Sequence, residues 1–541
     1  MLSVIDYVNY TGDAAFLKSY TDNASQKLDN AYKNFDNPNN LGFYGWDERL
    51  GAGFENPNNT ETRHAYTMLA IRTWLEFGNL LKQTGQEKLA DKYLQYAETK
   101  MDEERKKGIW LNEFGLHASA DAINTTLTTP QENAAFYQRN YTDRVNRLSY
   151  SPFNNYFIIG AMAKMNKYDD AISAIKDCWG GQLNYGGTTF FEVYRPSWNQ
   201  ILGKNDAPVN NQCGYTSLTH PWSAGVVKWL SEEVLGIKPT SPGFKTFNII
   251  PHLANGVTSV KGKTPTLSGD IYSDFNEVSG VSTITVPNGT MAEKVAIPTG
   301  QNPVDKISLN GVMIWNNKAT TGAKSFNPHI ENGYIVFEHL KPGKYNFKVI
   351  YRSPFKPAVV KPLPWKYTIN SFKQDSLTGG KWNGKYGTEG YMLFNYFKAR
   401  MHLKKLPAYV DSVVLIRGKN VYVEMPATKG VLKDTTGANR SLGAVITQDP
   451  IACLQTMTMD LHASNNSTHQ VALYFLDWDN KKRRSAIEIF DLKTKNLLAP
   501  VQLVKNYTGG KYLIFNYSGS IRIRVNQVRG ENAAISGIFF K

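Results

Sequence analysis

At 541 residues, with 41% hydrophobic and 20% charged side chains, the chain has a globular composition and room for two to four sizeable cores. No stretch approaches the roughly 20 consecutive apolar residues of a membrane-spanning helix, and three widely spaced cysteines, Cys178, Cys213 and Cys453, exclude a disulfide framework or a zinc cluster. The net charge of +15 is uneven: residues 1–355 hold 34 basic and 34 acidic side chains, and residues 356–541 hold 27 and 12. That imbalance marks a separate C-terminal module, basic either because its strand faces are solvated or because it meets a polyanion.

The opening residues, MLSVIDYVNYTGDAAFLKSY, lack the charged start and apolar run of a signal peptide. They read like the middle of a helix, so the chain is expected to begin inside a domain. Ala70, Trp74, Phe77 and Leu81 recur on one face of an amphipathic helix, and Val226, Trp229, Leu230 and Val234 do the same further on. GIKPTSPG, at 236–243, is dense in breakers and ends the helical region.

Beyond it the period becomes two. Ile284 and Val286 alternate with threonines, and Tyr345, Phe347, Val349 and Tyr351 alternate with Asn346, Lys348 and Ile350. With PNGT and KPGK as turn signals, this predicts an antiparallel sandwich. RSPFKPAVVKPLPWK carries four prolines and reads as a stiff, extended linker. Past it, Ile521, Ile523 and Val525 alternate with Arg522, Arg524 and Asn526, which predicts a second β-sandwich. Helices followed by strands, rather than interleaved with them, imply separate domains. The prediction is multidomain, α then β: helices over 1–238, a β-sandwich over 239–352, a linker over 353–366 and a basic β-sandwich over 367–541.

Several chemistries are excluded by missing motifs. There is no G-x-G-x-x-G or G-x-x-x-x-G-K-[ST] nucleotide loop, no H-E-x-x-H, and no G-x-S-x-G. What remains are carboxylates set among aromatics. In GGTTFFEVYRPSW a glycine pair permits a sharp turn, and Glu192 stands among Phe190, Phe191, Tyr194 and Trp198, which would wall a pocket. A carboxylate so placed is either a satisfied structural acid or a base awaiting a proton. FYGWDERLGAGFEN offers Trp46, Asp47, Glu48 and Arg49, and SLTHPWSAGVVKWL offers His220 and Trp222 at a helix start. Glycosidic hydrolysis needs two carboxyl groups and aromatic walls for the sugar, and the three loops supply those ingredients. Plainer roles fit as well: a surface ion pair for Asp47 and Arg49, a capping or core histidine for His220, a core anchor for Trp222.

SLTHPWSAGVVKWLSEEVLGIKPTSPGFKTFNIIPHL resembles the end of the helical barrel and start of the following sandwich in bacterial α-L-rhamnosidases of glycoside hydrolase family 78. GGTTFFEVY is similar to that family's catalytic-base segment, and FYGWDERLGAGFENPNNTETRHAYTMLAIRTWLEF and YTGDAAFLKSY extend the likeness over about residues 1–352. The resemblance implies part of an (α/α)6 barrel and inverting hydrolysis of terminal α-L-rhamnosides, with Glu192 as general base. By the same likeness Trp46 packs on the rhamnose ring and His220 hydrogen-bonds the sugar. Trp222, Asp47 and Arg49 are neighbours of those positions. The family's general acid lies upstream of the Trp46 position, before this chain begins. Either the chain lacks that part or Glu48, in WDERLG, replaces the acid.

GGKWNGKYGTEGYMLFNY and VALYFLDWDNKKRRSAIEIFDL resemble a β-sandwich module appended to polysaccharide-degrading enzymes. Trp382, Tyr386 and Tyr391 suit stacking on a glycan or core packing. The Lys481–Arg484 run suits an acidic glycan or a solvated hairpin. The expected partner is a rhamnose-bearing oligo- or polysaccharide, acidic if that basic run meets it. No nucleic-acid partner is expected, because the basic residues alternate singly without a recognised motif. No metal or organic cofactor is implied. Secretion or a periplasmic location is what the resemblance implies. Two rivals stay open, a carbohydrate-binding protein without catalysis and an (α/α)6 glycosidase for another sugar.

Overall fold

The computed structural model describes residues 1–37, 60–108, 110–199, 217–299, 302–398, 401–423, 430–437, 440–447 and 456–541. Its helices come first: α1 (Leu2–Thr11), α2 (Ala14–Lys33), α3 (Thr60–Gln83), α4 (Glu87–Lys107), α5 (Leu116–Asn124), α6 (Pro130–Phe136), α7 (Pro152–Lys164), α8 (Tyr168–Ile175), α9 (Gly181–Tyr185), α10 (Pro196–Asn199) and α11 (Gly225–Trp229). Trp74, Phe77 and Leu81 of α3 are fully buried, as their spacing predicts, and Ala70 packs beside them. Leu230 departs from its predicted face: it is 40% exposed, where α11 gives way to a wider π turn that rotates it outward.

Glu61, in the first turn of α3, accepts the amides of Gly115, His117 and Ala118 and so caps the start of α5. Helix α11 is tied to α1 by Lys228 against Asp6 at 2.9 Å. A polar cavity of about 440 Å³ is lined by Asp6 of α1, Arg72 and Glu76 of α3, Asn124 of α5, Lys164 of α7 and Lys228 of α11.

The described strands are almost all antiparallel and form five sheets, four of them in two packed pairs and a fifth, smaller one built on Lys419–Val423 and Arg440–Ile446. In the first pair, a sheet built on Thr246–Ile249, Met291–Pro298 and Tyr334–Leu340 faces one built on Gly269–Asn276, Val281–Val286 and Gly343–Tyr351. Thr246–Ile249 joins Met291–Pro298 in parallel. Phe247, Val295 and Phe337 of one sheet meet Phe275, Ile284 and Phe347 of the other in one core. Tyr10 of α1 sets its ring edge-on to Phe244, 5.2 Å away, which joins the helices to this unit.

The proline-rich stretch is extended and mostly exposed, with Trp365 at its end under the Arg144 guanidinium at 5.0 Å. Beyond it, a sheet centred on Thr468–Phe475 and Lys511–Ser518 faces one centred on Thr456–Ala463, Ile521–Arg529 and Arg484–Asp491. Leu473, Phe515 and Ile538 meet Met459, Ile489 and Ile523 between them.

The packing decides three questions that the sequence leaves open for this last unit. Arg522 and Arg524 are buried rather than solvated. Arg522 forks onto Asp460 at 2.7 and 2.8 Å, and Arg524 lies over the Phe490 ring. Trp382 and Tyr386 belong to a second core on the far face of the six-stranded sheet, so they are closed to a glycan. The Trp382 indole donates to the Lys433 carbonyl at 2.7 Å, and Tyr391 packs on Trp382 at 4.7 Å. In the Lys481–Arg484 run, Lys481 and Lys482 are exposed, but Arg483 is buried against Asp477 and Asp479 with Trp478 beneath it. The sequence leaves them open for one reason: it tells which residues share a face, not what covers that face.

Candidate functional site

The Glu192 loop begins where α9 ends. Gly186 takes a left-handed conformation (φ 99°) that closes the helix, and a side chain at Gly187 would meet the Phe191 ring at 2.6 Å. The glycine pair is therefore needed twice, once for the turn and once for the close approach. Behind it, Gln182 accepts the Phe191 amide at 3.0 Å. Phe191, Tyr194 and Trp198 turn inward and are buried, leaving Phe190 half-exposed. The predicted aromatic wall is thus mostly a foundation.

Glu192 itself is 9% exposed. Its amide donates to the Ser217 carbonyl at 2.9 Å, and its Oε2 accepts the Ser217 amide at 2.7 Å. Among the described residues no donor reaches Oε1. His220 approaches from the next segment: its amide donates to the Phe190 carbonyl at 2.8 Å, and its Nδ1 lies 3.7 Å from Glu192 Oε2. That separation is contact rather than a hydrogen bond.

His220 precedes the short 3₁₀ turn Pro221–Ala224 and makes no side-chain cap, which removes its capping role. Its ring instead meets Trp222 edge-on, 4.2 Å between centroids, and Trp222 stacks on Phe153 at the start of α7. The structure therefore brings Glu192, His220 and Trp222 together. Trp46, Asp47, Glu48 and Arg49 lie outside the described residues.

Two contributors carry no sequence signal. Ser217 acts through its backbone, which any residue supplies, and Phe153 is placed by packing. Cys178 lies behind the loop, hydrogen-bonded to Asn155 at 3.3 Å, and burial pushes its thiol up to about 12. A neutral, enclosed thiol is no nucleophile. Among the described residues no group of three or more His, Cys, Asp or Glu is arranged to hold a metal. The site thus offers a fixed carboxylate beside an imidazole and an indole. Such a group can accept a proton from water while the rings orient a polar, ring-shaped ligand.

Residues 236–310 match the bacterial alpha-L-rhamnosidase C-terminal domain family. Over 178 residues the chain is 32% identical to an alpha-L-rhamnosidase of Alteromonas sp. (strain LOR). The chain is similar to the C-terminal part of bacterial α-L-rhamnosidases. A second such α-L-rhamnosidase, from Formosa agariphila, is 27% identical over 177 residues. Each match covers 32% of this chain but only 16% and 17% of those two rhamnosidases. The solved α-L-rhamnosidase of Dictyoglumus thermophilum shares the fold at a TM-score of 0.50 and 15% identity, over 64% of this chain and 38% of that one. The helices-then-sheets order is thus a rhamnosidase order.

Proposed function

We propose that this chain carries the general-base side of an inverting glycoside hydrolase of the α-L-rhamnosidase kind, acting on terminal α-L-rhamnosyl groups of an oligo- or polysaccharide. The observation that carries the reading is Glu192, held by the Ser217 amide beside His220 and Trp222. In this reading Glu192 takes a proton from water as the oxygen attacks the anomeric carbon. A second carboxyl group, for which Glu48 is proposed, gives its proton to the departing oxygen. Inversion needs the two carboxyls about 6.5–9.5 Å apart with that water between them.

His220 and Trp222 would hold the sugar, with Trp46 packing on its ring and Asp47 and Arg49 beside it. Six of the described helices, α1, α3, α5, α7, α8 and α11, line one cavity, which supports reading residues 1–238 as part of an (α/α)6 barrel. Residues 239–352 are proposed as the rhamnosidase-type sandwich, 353–366 as a linker and 367–541 as an appended module. None of the described helices is long and apolar enough to cross a membrane, and a secreted or periplasmic site of action is proposed.

The test is nitrophenol release from an aryl α-L-rhamnoside by the full chain and by Glu192→Gln. The variant is expected to lose about 10²–10⁴-fold in kcat. An undiminished rate in the variant would remove Glu192 from the chemistry. Rhamnose binding without turnover in either protein would favour a binding role.

A further inference from the structure

We infer that the C-terminal β-unit is a positioning element of the Glu192 site: the buried carboxylate of Glu488 clamps Tyr150 and Trp198, and with them the strap 193–198 that continues directly from Glu192. The catalytic consequence rests on the reading of Glu192 given above; the clamp itself does not.

Glu488 lies in strand Arg484–Asp491, fully buried, on the sheet face that also carries Arg522, Arg524 and Asn526. Its Oε1 accepts the Tyr150 hydroxyl and the Trp198 indole, both at 2.8 Å, and its Oε2 accepts the Asn526 amide at 3.1 Å. Tyr150 and Trp198 stand on opposite sides of the site in sequence, one just before α7 and one just after Glu192. Their two segments are also joined, since the Tyr194 amide donates to the Tyr150 carbonyl at 2.8 Å. Arg195 is inserted between them, 5.5 Å from the Tyr150 ring and 4.5 Å from the Trp198 ring.

Apolar contacts surround this clamp. Val193 packs with Val145, Tyr150, Phe490 and Leu497, and Trp198 with Ala486 and Val501. Asn146 adds a bond to the Leu497 amide at 2.7 Å. A module that merely trailed from a flexible tether would need none of these contacts. Apolar residues alone would also dock it more cheaply than a buried acid does. What the acid adds is direction: one oxygen fixes two donors from two segments at one point.

Val193 follows Glu192 at one Cα spacing, about 3.8 Å, and the far side of Glu192 is fixed by Ser217. Any displacement of the strap therefore moves the Glu192 carboxylate against its surroundings. Misplacement by about 1 Å can cost on the order of 10²-fold in rate.

The test compares Glu488→Ala, Glu488→Gln and Tyr150→Phe in the full chain, by hydrogen exchange of peptides spanning 186–198 and by kcat and KM on an aryl α-L-rhamnoside. Glu488→Ala is expected to speed exchange at Tyr194 and Trp198 by about tenfold or more, with strand Met291–Pro298 unchanged. It is also expected to lower kcat about tenfold, with KM within about twofold. Glu488→Gln keeps one oxygen for both donors but sets its own N–H donors against the Asn526 amide, which donates to Glu488, so it should restore both readouts only in part, to between Glu488→Ala and the wild type. Tyr150→Phe loses one donor without the charge, so it reads the clamp even if Glu488→Ala fails to fold. Unchanged exchange at 193–198 in folded Glu488→Ala or in Tyr150→Phe would overturn the clamp. Faster exchange beside an equally active Glu192→Gln would leave the clamp standing and sink the Glu192 reading instead.

Discussion

Asp121 offers a quantitative test of how the helical unit is built. It lies in α5, nearly buried, and burial pushes its carboxyl up to about 7 from an ordinary 3.8. Arg72 and His117 pull it partly back, while Glu61 and Glu76 push it further. Because the folded value is raised, the protonated form carries the stability. That stability is present in full below about pH 4 and is lost as pH rises through about 7. A shift of about three units at ~1.4 kcal/mol each amounts to about 4 kcal/mol by pH 8.

Asparagine cannot ionise, so Asp121→Asn should match the wild type near pH 4 and exceed it by up to about 4 kcal/mol at pH 8. Urea unfolding followed by far-ultraviolet circular dichroism, at several pH values across that window, gives the difference directly. Burial also raises Glu277 to about 7, so both proteins keep a common slope that Glu277→Gln removes. A wild-type-to-variant difference that stays constant from about pH 4 to 8 would refute the reasoning, because it would mean Asp121 titrates alike in both states.

Two further outcomes follow from the packing. Gly187→Ala places a methyl group 2.6 Å from the Phe191 ring and 3.0 Å from the Gln182 carbonyl. It should destabilise by about 1–3 kcal/mol in thermal unfolding and shift the Glu192 loop; an unchanged melting temperature would contradict that contact. Removing residues 367–541 uncovers Val145, Tyr150, Val193 and Trp198, so the shortened chain should self-associate in light scattering. A stable monomer would count against an intimate joint.

Much of the architecture was legible because local periodicity reports burial on one face. Trp74, Phe77 and Leu81 show it for α3, and Ile284 with Val286 shows it for a strand. The glycine pair before Glu192 was legible for a covalent reason: only glycine accepts both the left-handed turn at Gly186 and the missing Cβ at Gly187. The grouping of Glu192 with His220 and Trp222 was legible only through family likeness, since 28 residues separate the first two and nothing in composition or spacing joins them.

By itself the sequence determined that helices give way to two strand regions, that a proline-rich stretch divides those regions, and that a carboxylate sits in a glycine-hinged aromatic loop. Only the tertiary structure decided which faces are covered. Arg522, Arg524 and Glu488 alternate with apolar residues like any solvated strand face, yet all three are buried, and Tyr150 and Trp198 of the helical unit close over Glu488. Trp382 and Tyr386 have the composition of a glycan platform and the position of a core. The physical reason is one of range. Alternation and helical period are fixed by neighbours a few residues apart, whereas the cover over a face comes from segments hundreds of residues away, such as Tyr150 over Glu488.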